Sequence, residues 1–244
     1  MDRTVRPDKV PARLGGRRLV AVDTVEMTFL VEDDVQFRAG QYCRVDLGTL
    51  RWKDRKTSRK FSMVNAPSES DRIVIATRAS DSGYKRSLDA LVDGDPVTIE
   101  RIKGDLVLPE KRRRPLSFIA GGIGIAPFVS MLRELDHRNA LHDVRLVYLN
   151  RSASSAAYLA ELLKLAEDNP GFEIIPVMTR DESWQGERRR LSVETLRSTH
   201  GEPRDYDHYV VGTPRMVRAA VDALSDAHVK RSRIHDEDFS GYDR

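Results

Sequence analysis

Cysteine occurs once in the 244 residues, at Cys43. A lone thiol excludes an internal disulfide, a four-cysteine zinc site and an iron–sulfur cluster held by this sequence alone, so no metal site is expected. Aromatics are sparse, at 7%, and do not alternate with basic residues as a single-strand nucleic-acid groove requires. Helix-turn-helix and zinc-finger spacings are also missing, so nucleic acid is not an expected partner. The start, MDRTVRPDKV, has no apolar core of a signal peptide, which sets the expectation of a cytoplasmic chain. One long uncharged run exists, from Pro115 to Leu132, but Gly121, Gly122, Gly124 and Pro127 interrupt it. It reads as strand, loop and helix, and no membrane span is expected. Charge of one sign is hardly in excess: 41 Lys and Arg against 38 Asp and Glu leave +3.

The basic residues cluster all the same. Arg51 to Lys60 (RWKDRKTSRK) carries six basic side chains against Asp54 alone. It is either a solvated loop or a docking patch for an acidic partner or anionic cofactor. Around it the first half is β-rich. Arg18–Leu30, Tyr42–Leu47, Lys60–Val64, Arg72–Arg78 and Val97–Arg101 are short runs divided by turn residues, with one helical stretch near Lys85–Val92. Such spacing predicts a sandwich or small antiparallel barrel.

After Pro109–Pro115 the period changes. Strand runs at Leu116–Ala120, Val144–Leu149, Phe172–Thr179 and Tyr209–Val211 alternate with helical runs at Phe128–His137, Ser155–Asp168 and Pro214–Leu224. This alternation predicts a parallel sheet with crossover helices. The expected fold is therefore a β-barrel plus α/β: an antiparallel barrel over residues 1–112, then a parallel-sheet nucleotide-binding domain over 113–244.

Two segments carry chemistry. Ala120–Phe128 (AGGIGIAPF) joins strand to helix. Its glycines allow close approach of a pyrophosphate, and the helix start offers free N–H groups; a tight turn without ligand fits the same residues. Arg59-Lys60-Phe61-Ser62 sets Arg59 and Phe61 on one strand face and Lys60 and Ser62 on the other. That set suits a phosphate, a flat ring and a ring nitrogen, or an ordinary strand with a core Phe.

Taken together, R-x-F-S in a barrel, AGGIGIAPF and Val211-Gly212-Thr213-Pro214-x-Met216 resemble the ferredoxin–NADP reductase family of flavoproteins. Gly40-Gln41-Tyr42, Ser82–Leu88, Gly94-Asp95 and Gly104 fall in that family's order. The resemblance implies a flavin-binding barrel holding FAD, with Arg59 on the pyrophosphate, Phe61 against the isoalloxazine and Ser62 near its N5. Lys60, Gly83, Tyr84, Lys85 and Ser87 would complete the flavin site, Gly83 and Ser87 at the phosphate; Tyr84 and Lys85 could equally form a barrel lid. Gly121, Gly122 and Gly124 would admit the nicotinamide nucleotide, with Gly212 and Thr213 beside the nicotinamide. Phe239, within Glu237–Tyr242, would cover the other flavin face or serve as a last-strand core residue. Ser62 and Phe239 are thus the residues expected nearest the reacting atoms. Two departures stand out: Phe61 where many relatives carry Tyr, and Val211 where many carry Cys.

The segment after Val144–Leu149 is Asn150-Arg151-Ser152, without the acid that commonly takes ribose hydroxyls. Arg151 and Arg180 are candidate clamps for a 2′-phosphate, or equally surface arginines in so charged a chain; the first reading favours NADP with NAD possible. The expected activity is hydride transfer from NAD(P)H to FAD and then single electrons to an acidic carrier, ferredoxin or flavodoxin, docking on Arg51–Lys56. Alternatives are the reductase component of an oxygenase, a free flavin or ferric reductase, and a non-catalytic nucleotide-binding subunit.

Overall fold

In β1 (Lys9–Ala21) inward Val10, Ala12 and Leu14 alternate with exposed residues, the period of a half-buried strand. The computed structural model describes residues 9–200 and 202–239. β1 turns at Val22-Asp23 into β2 (Thr24–Val31), with Asp23 in the left-handed region at φ 60°. The run Arg18–Leu30, read from sequence as one strand, is therefore most of a hairpin; the turn carries neither Gly nor Pro.

The remaining barrel strands are β3 (Tyr42–Asp46), β4 (Ser58–Ser62), β5 (Arg72–Arg78) and β6 (Pro96–Lys103). The antiparallel order is β4-β3-β6-β1-β2-β5. A bridge between Met63 and Ile75 brings the two edges together. The interior holds Met27, Phe29, Cys43, Val45, Met63, Ile73 and Ile75. Burial pushes the Cys43 thiol up to about 12, so it is an inert core side chain. Helix α1 (Gly83–Asp89) plugs one end with Tyr84 and Leu88.

The second sheet is parallel, with β7 (Leu116–Gly121), β8 (Val144–Asn150), β9 (Phe172–Met178), β10 (Asp207–Gly212) and β11 (Ile234–Asp238) in the order β11-β10-β7-β8-β9. β7 is covered on both faces: Phe118 packs with Phe128 of α2 (Ala126–His137), while Ile119 joins Val217 and Leu224 of α5 (Pro214–Asp226). α3 (Leu159–Asp168) and α4 (Val193–His200) complete the crossovers. α3 starts later than its apolar pattern predicts, because Ala153–Ser155 forms a separate 3₁₀ turn. α4 was not expected from sequence, and the last strand, β11, ends at Asp238, just before the Phe239 that was read as a last-strand residue.

The two halves share one core, since barrel residues Val64, Val74, Ala76 and Leu106 pack in the same cluster as Phe128 and Tyr148. A polar latch crosses the same seam. The Tyr158 hydroxyl donates to Glu26 at 2.9 Å, Arg18 pairs with Glu26 and Glu161, and Arg133 pairs with Glu161 and donates to the Val64 carbonyl. Among the described residues, no helix is long and apolar enough to cross a membrane.

Candidate functional site

Strand order alone locates a crevice. β8 lies on one side of β7 and β10 on the other, so the loops leaving β7 and β10 diverge at their C-terminal ends. A cavity of about 560 Å³ opens there, bordered by Gly121, Gly122, Gly124, Arg151, Arg180, Gly212, Thr213 and Phe239. All the residues expected at the nicotinamide nucleotide are thus brought together. Gly122 sits at φ +56°, and a Cβ on Gly124 would stand 2.5 Å from the Val211 carbonyl oxygen. The glycines therefore serve a close backbone crossing as well as an open floor. Thr213 caps α5, its hydroxyl accepting the Met216 N–H.

The wall of this cavity is basic. Arg78, Arg190 and Arg215 join Arg151 and Arg180, and among the described residues no carboxylate borders it. The Arg180 N–H donates to the Arg151 carbonyl at 2.9 Å, fixing those two arginines side by side. The nearest acid in sequence, Asp181, is held by the Ser183 hydroxyl and the Ala153 N–H, which lower its pKa. Arg189 is paired with Glu187, whose carboxyl it holds down at about 2. Sequence reading missed Arg78, Arg190 and Arg215, because only the fold carries a barrel strand, a loop and the start of α5 to one rim.

A smaller cavity of about 210 Å³ adjoins it, bordered by Tyr42, Lys60, Phe61, Ser62, Glu237 and Phe239. Ile123 and Phe239 line both spaces. The Phe239 N–H donates to the Gly212 carbonyl at 2.9 Å, tying that ring to the nucleotide loop. Lys60 lies 4.9 Å over the Tyr42 ring. Phe61 is 7% exposed, with its ring stacked on Tyr84 at 6.1 Å in the barrel core. Glu237 was not singled out from sequence; burial raises its carboxyl pKa while Lys60 opposes the shift.

The phosphate end expected from Arg59, Gly83 and Ser87 is arranged differently. Arg59 is paired with Asp54 and donates to the carbonyls of Lys56 and Ser58. Asp54 also accepts the Tyr84 N–H at 2.8 Å. The Ser87 hydroxyl donates to Gly83 and accepts the N–H groups of Arg51 and Trp52. The Tyr84 side chain is fully buried, its hydroxyl donating to the Val45 carbonyl, so that ring is part of the barrel core and not a lid. Lys85 donates to the Arg78 carbonyl at 2.6 Å. A flavin fits the residues at its ring end, where Ser62, Lys60 and Phe239 border an open space. At the phosphate end, in this conformation, the donors are engaged by the chain itself. Among the described residues, no group of His, Cys, Asp or Glu is placed to hold a metal ion.

A barrel whose smaller cavity meets an arginine-rimmed switch-point crevice is the arrangement found in flavin- and nicotinamide-type oxidoreductase folds. Comparison with known proteins agrees. The oxidoreductase NAD-binding domain family matches residues 118–222. The chain is 28% identical over 221 residues to reductase component 1 of terephthalate 1,2-dioxygenase from Comamonas, covering 90% of this chain and 64% of that protein. It is also 28% identical over 213 residues to an NADPH oxidoreductase of Mycobacterium tuberculosis, covering 84% and 52%. A cytochrome P450 reductase of Amycolatopsis superposes with a TM-score of 0.81 at 25% identity, over 95% of this chain and 69% of that one. A ferredoxin–NADP reductase of Neisseria gonorrhoeae shares the fold at 0.78 and 21% identity, over 95% and 99%. The chain thus has the ferredoxin–NADP reductase-like fold, and its residues 118–222 match the oxidoreductase NAD-binding domain family. It spans 52% to 66% of the length of the curated relatives it matches.

Proposed function

We propose that this protein is an NAD(P)H-driven flavin reductase that passes electrons to a separate protein acceptor. The observation that carries this is the junction of the two cavities at Ile123 and Phe239. It sets a nucleotide crevice end to end with a ring-sized space beside Ser62. When bound, nicotinamide and flavin supply the hydride and electron chemistry. The chain's own residues position the two rings. Ile123 and Phe239 border the seam between the two spaces and limit water there. Ser62 offers a hydroxyl at the ring edge, and Lys60 balances Glu237 beside it. No side chain is required as a nucleophile.

NADP is favoured over NAD, because among the described residues five arginines and no carboxylate border the crevice. A 2′-phosphate adds charge that such a rim attracts, whereas ribose hydroxyls call for an acceptor. The division at residues 112 and 113 separates the flavin and nucleotide roles on this reading, and the setting is cytoplasmic.

The reductase component of an oxygenase is a second reading of the acceptor, favoured by the names of the relatives. An acidic carrier such as ferredoxin or flavodoxin is the first. Among the described residues, Arg51, Lys53, Arg55 and Lys56 join no ion pair, which leaves their charge available to an acidic surface. The decisive experiment is the visible spectrum under argon before and after one equivalent of NADPH, then of NADH. Yellow colour bleached by NADPH supports the proposal. A colourless protein that takes up no flavin overturns it in favour of a nucleotide-binding subunit.

A further inference from the structure

The loop between β3 and β4 is fastened to the very donors that the flavin reading assigns to phosphate. One Asp54 oxygen takes the Arg59 guanidinium, and the other accepts the Tyr84 N–H at 2.8 Å. The Arg51 and Trp52 N–H groups donate to the Ser87 hydroxyl at 3.0 and 3.2 Å. The Lys53 carbonyl lies so near Gly83 that a Cβ there would stand 2.2 Å from its oxygen. Trp52 is held from outside by Arg86, 4.6 Å from its ring. A carboxylate gripped by a guanidinium and a backbone N–H uses the donors that a phosphate oxygen would use. The Asp54 side chain is only 11% exposed.

We propose that Asp54 is an internal anion that occupies the phosphate position of the flavin site and competes with the ligand's own phosphate for Arg59. The chain then recognises flavin chiefly by its ring, and phosphate adds little until the loop is displaced. The proposal rests on the assignment of Arg59 and Ser87 to the flavin phosphate.

The test is fluorescence titration of the flavin-free full chain with riboflavin, FMN and FAD. Wild type should bind FMN within about threefold of riboflavin, because a charged hydrogen-bonding partner worth tenfold or more is already taken. Asp54→Asn should tighten FMN and FAD by about tenfold or more and leave riboflavin within about twofold. FMN binding to wild type about a hundredfold tighter than riboflavin would overturn the proposal. So would an Asp54→Asn gain shared equally by riboflavin, which would mean that the loop had merely loosened. The wild-type ratio stands by itself if the variant folds poorly. Binding of no flavin at all removes the flavoprotein reading and this proposal with it, an outcome distinct from flavin binding with a large phosphate preference.

Discussion

Two ends of this molecule carry arginines, and those arginines are in opposite states. At the crevice five arginines border an open space of about 560 Å³, without a bordering carboxylate among the described residues. At the flavin-phosphate end Arg59 is neutralised by Asp54, five residues before it, and the backbone donors are engaged as well. The contrast teaches that an arginine's presence says little about its availability. What decides is whether the chain path brings a carboxylate to it. At the crevice the local acids are drawn off: Asp181 to Ser183 and Ala153, and Glu187 to Arg189. At the barrel the acid is folded in.

The largest effect should come from closing the open end. In Gly124→Val, the added Cβ meets the Val211 carbonyl oxygen at 2.5 Å, a backbone atom that cannot swing away. kcat/KM for NADPH should fall by about a hundredfold or more, while riboflavin binding persists; overpacking of this kind also costs about 1–3 kcal/mol of stability. Equal loss of both ligands would mean that the halves do not bind separately.

Acid should also distinguish the halves, since all six histidines follow residue 113. His208 on β10 is fully buried, its Nε2 donating to the Pro203 carbonyl at 2.8 Å, and burial lowers its pKa to about 4. The unfolded chain, near 6.5, takes up a proton that the folded chain refuses. Stability therefore falls as pH drops from about 6.5 towards 4, by about 3 kcal/mol in all. His208→Gln keeps a donor without titrating, so its melting temperature should vary less over that window.

Arg151→Ala with Arg180→Ala should raise KM for NADPH by about 10- to 100-fold and leave NADH little changed, as expected when charged hydrogen bonds to one phosphate are lost. Equal losses with both nucleotides would move the 2′-phosphate elsewhere on the rim, with Arg190 and Arg215 the next residues to replace. Either result sharpens the contrast with Arg59, where truncation removes an arginine that is already paired.

Much of this arrangement was legible in the residues. The switch-point glycines announce themselves because a backbone crossing tolerates no Cβ, and the β-to-α change of period marks the two sheets. The Val22-Asp23 turn was hidden because Asp tolerates the left-handed region without the usual Gly signal. α4 (VETLRSTH) presents a weak apolar face, and β11 (IHDED) is largely polar on an edge. The Asp54–Arg59 pair was invisible for another reason. A run of six bases and one acid reads as net charge, whereas the consequence depends on which base the acid reaches.

The smallest effect concerns the seam that keeps the two ends in register. The Tyr158 hydroxyl, from the nucleotide half, donates to Glu26 of the barrel, and Arg18 and Arg133 lie 5.9 and 5.6 Å from its ring. Tyr158→Phe keeps the ring and its cation contacts, and Glu26 keeps Arg18 as a partner. Only one hydrogen bond to a carboxylate is lost, so the cost should be about 1.5–3 kcal/mol, a shift of several degrees in melting temperature. The shared apolar core across the seam remains. If that core alone sets the register, flavin and nucleotide binding should each be unchanged and the rate of flavin bleaching by NADPH should hold. If the rate falls while both affinities stand, the latch is a positioning device for the two rings.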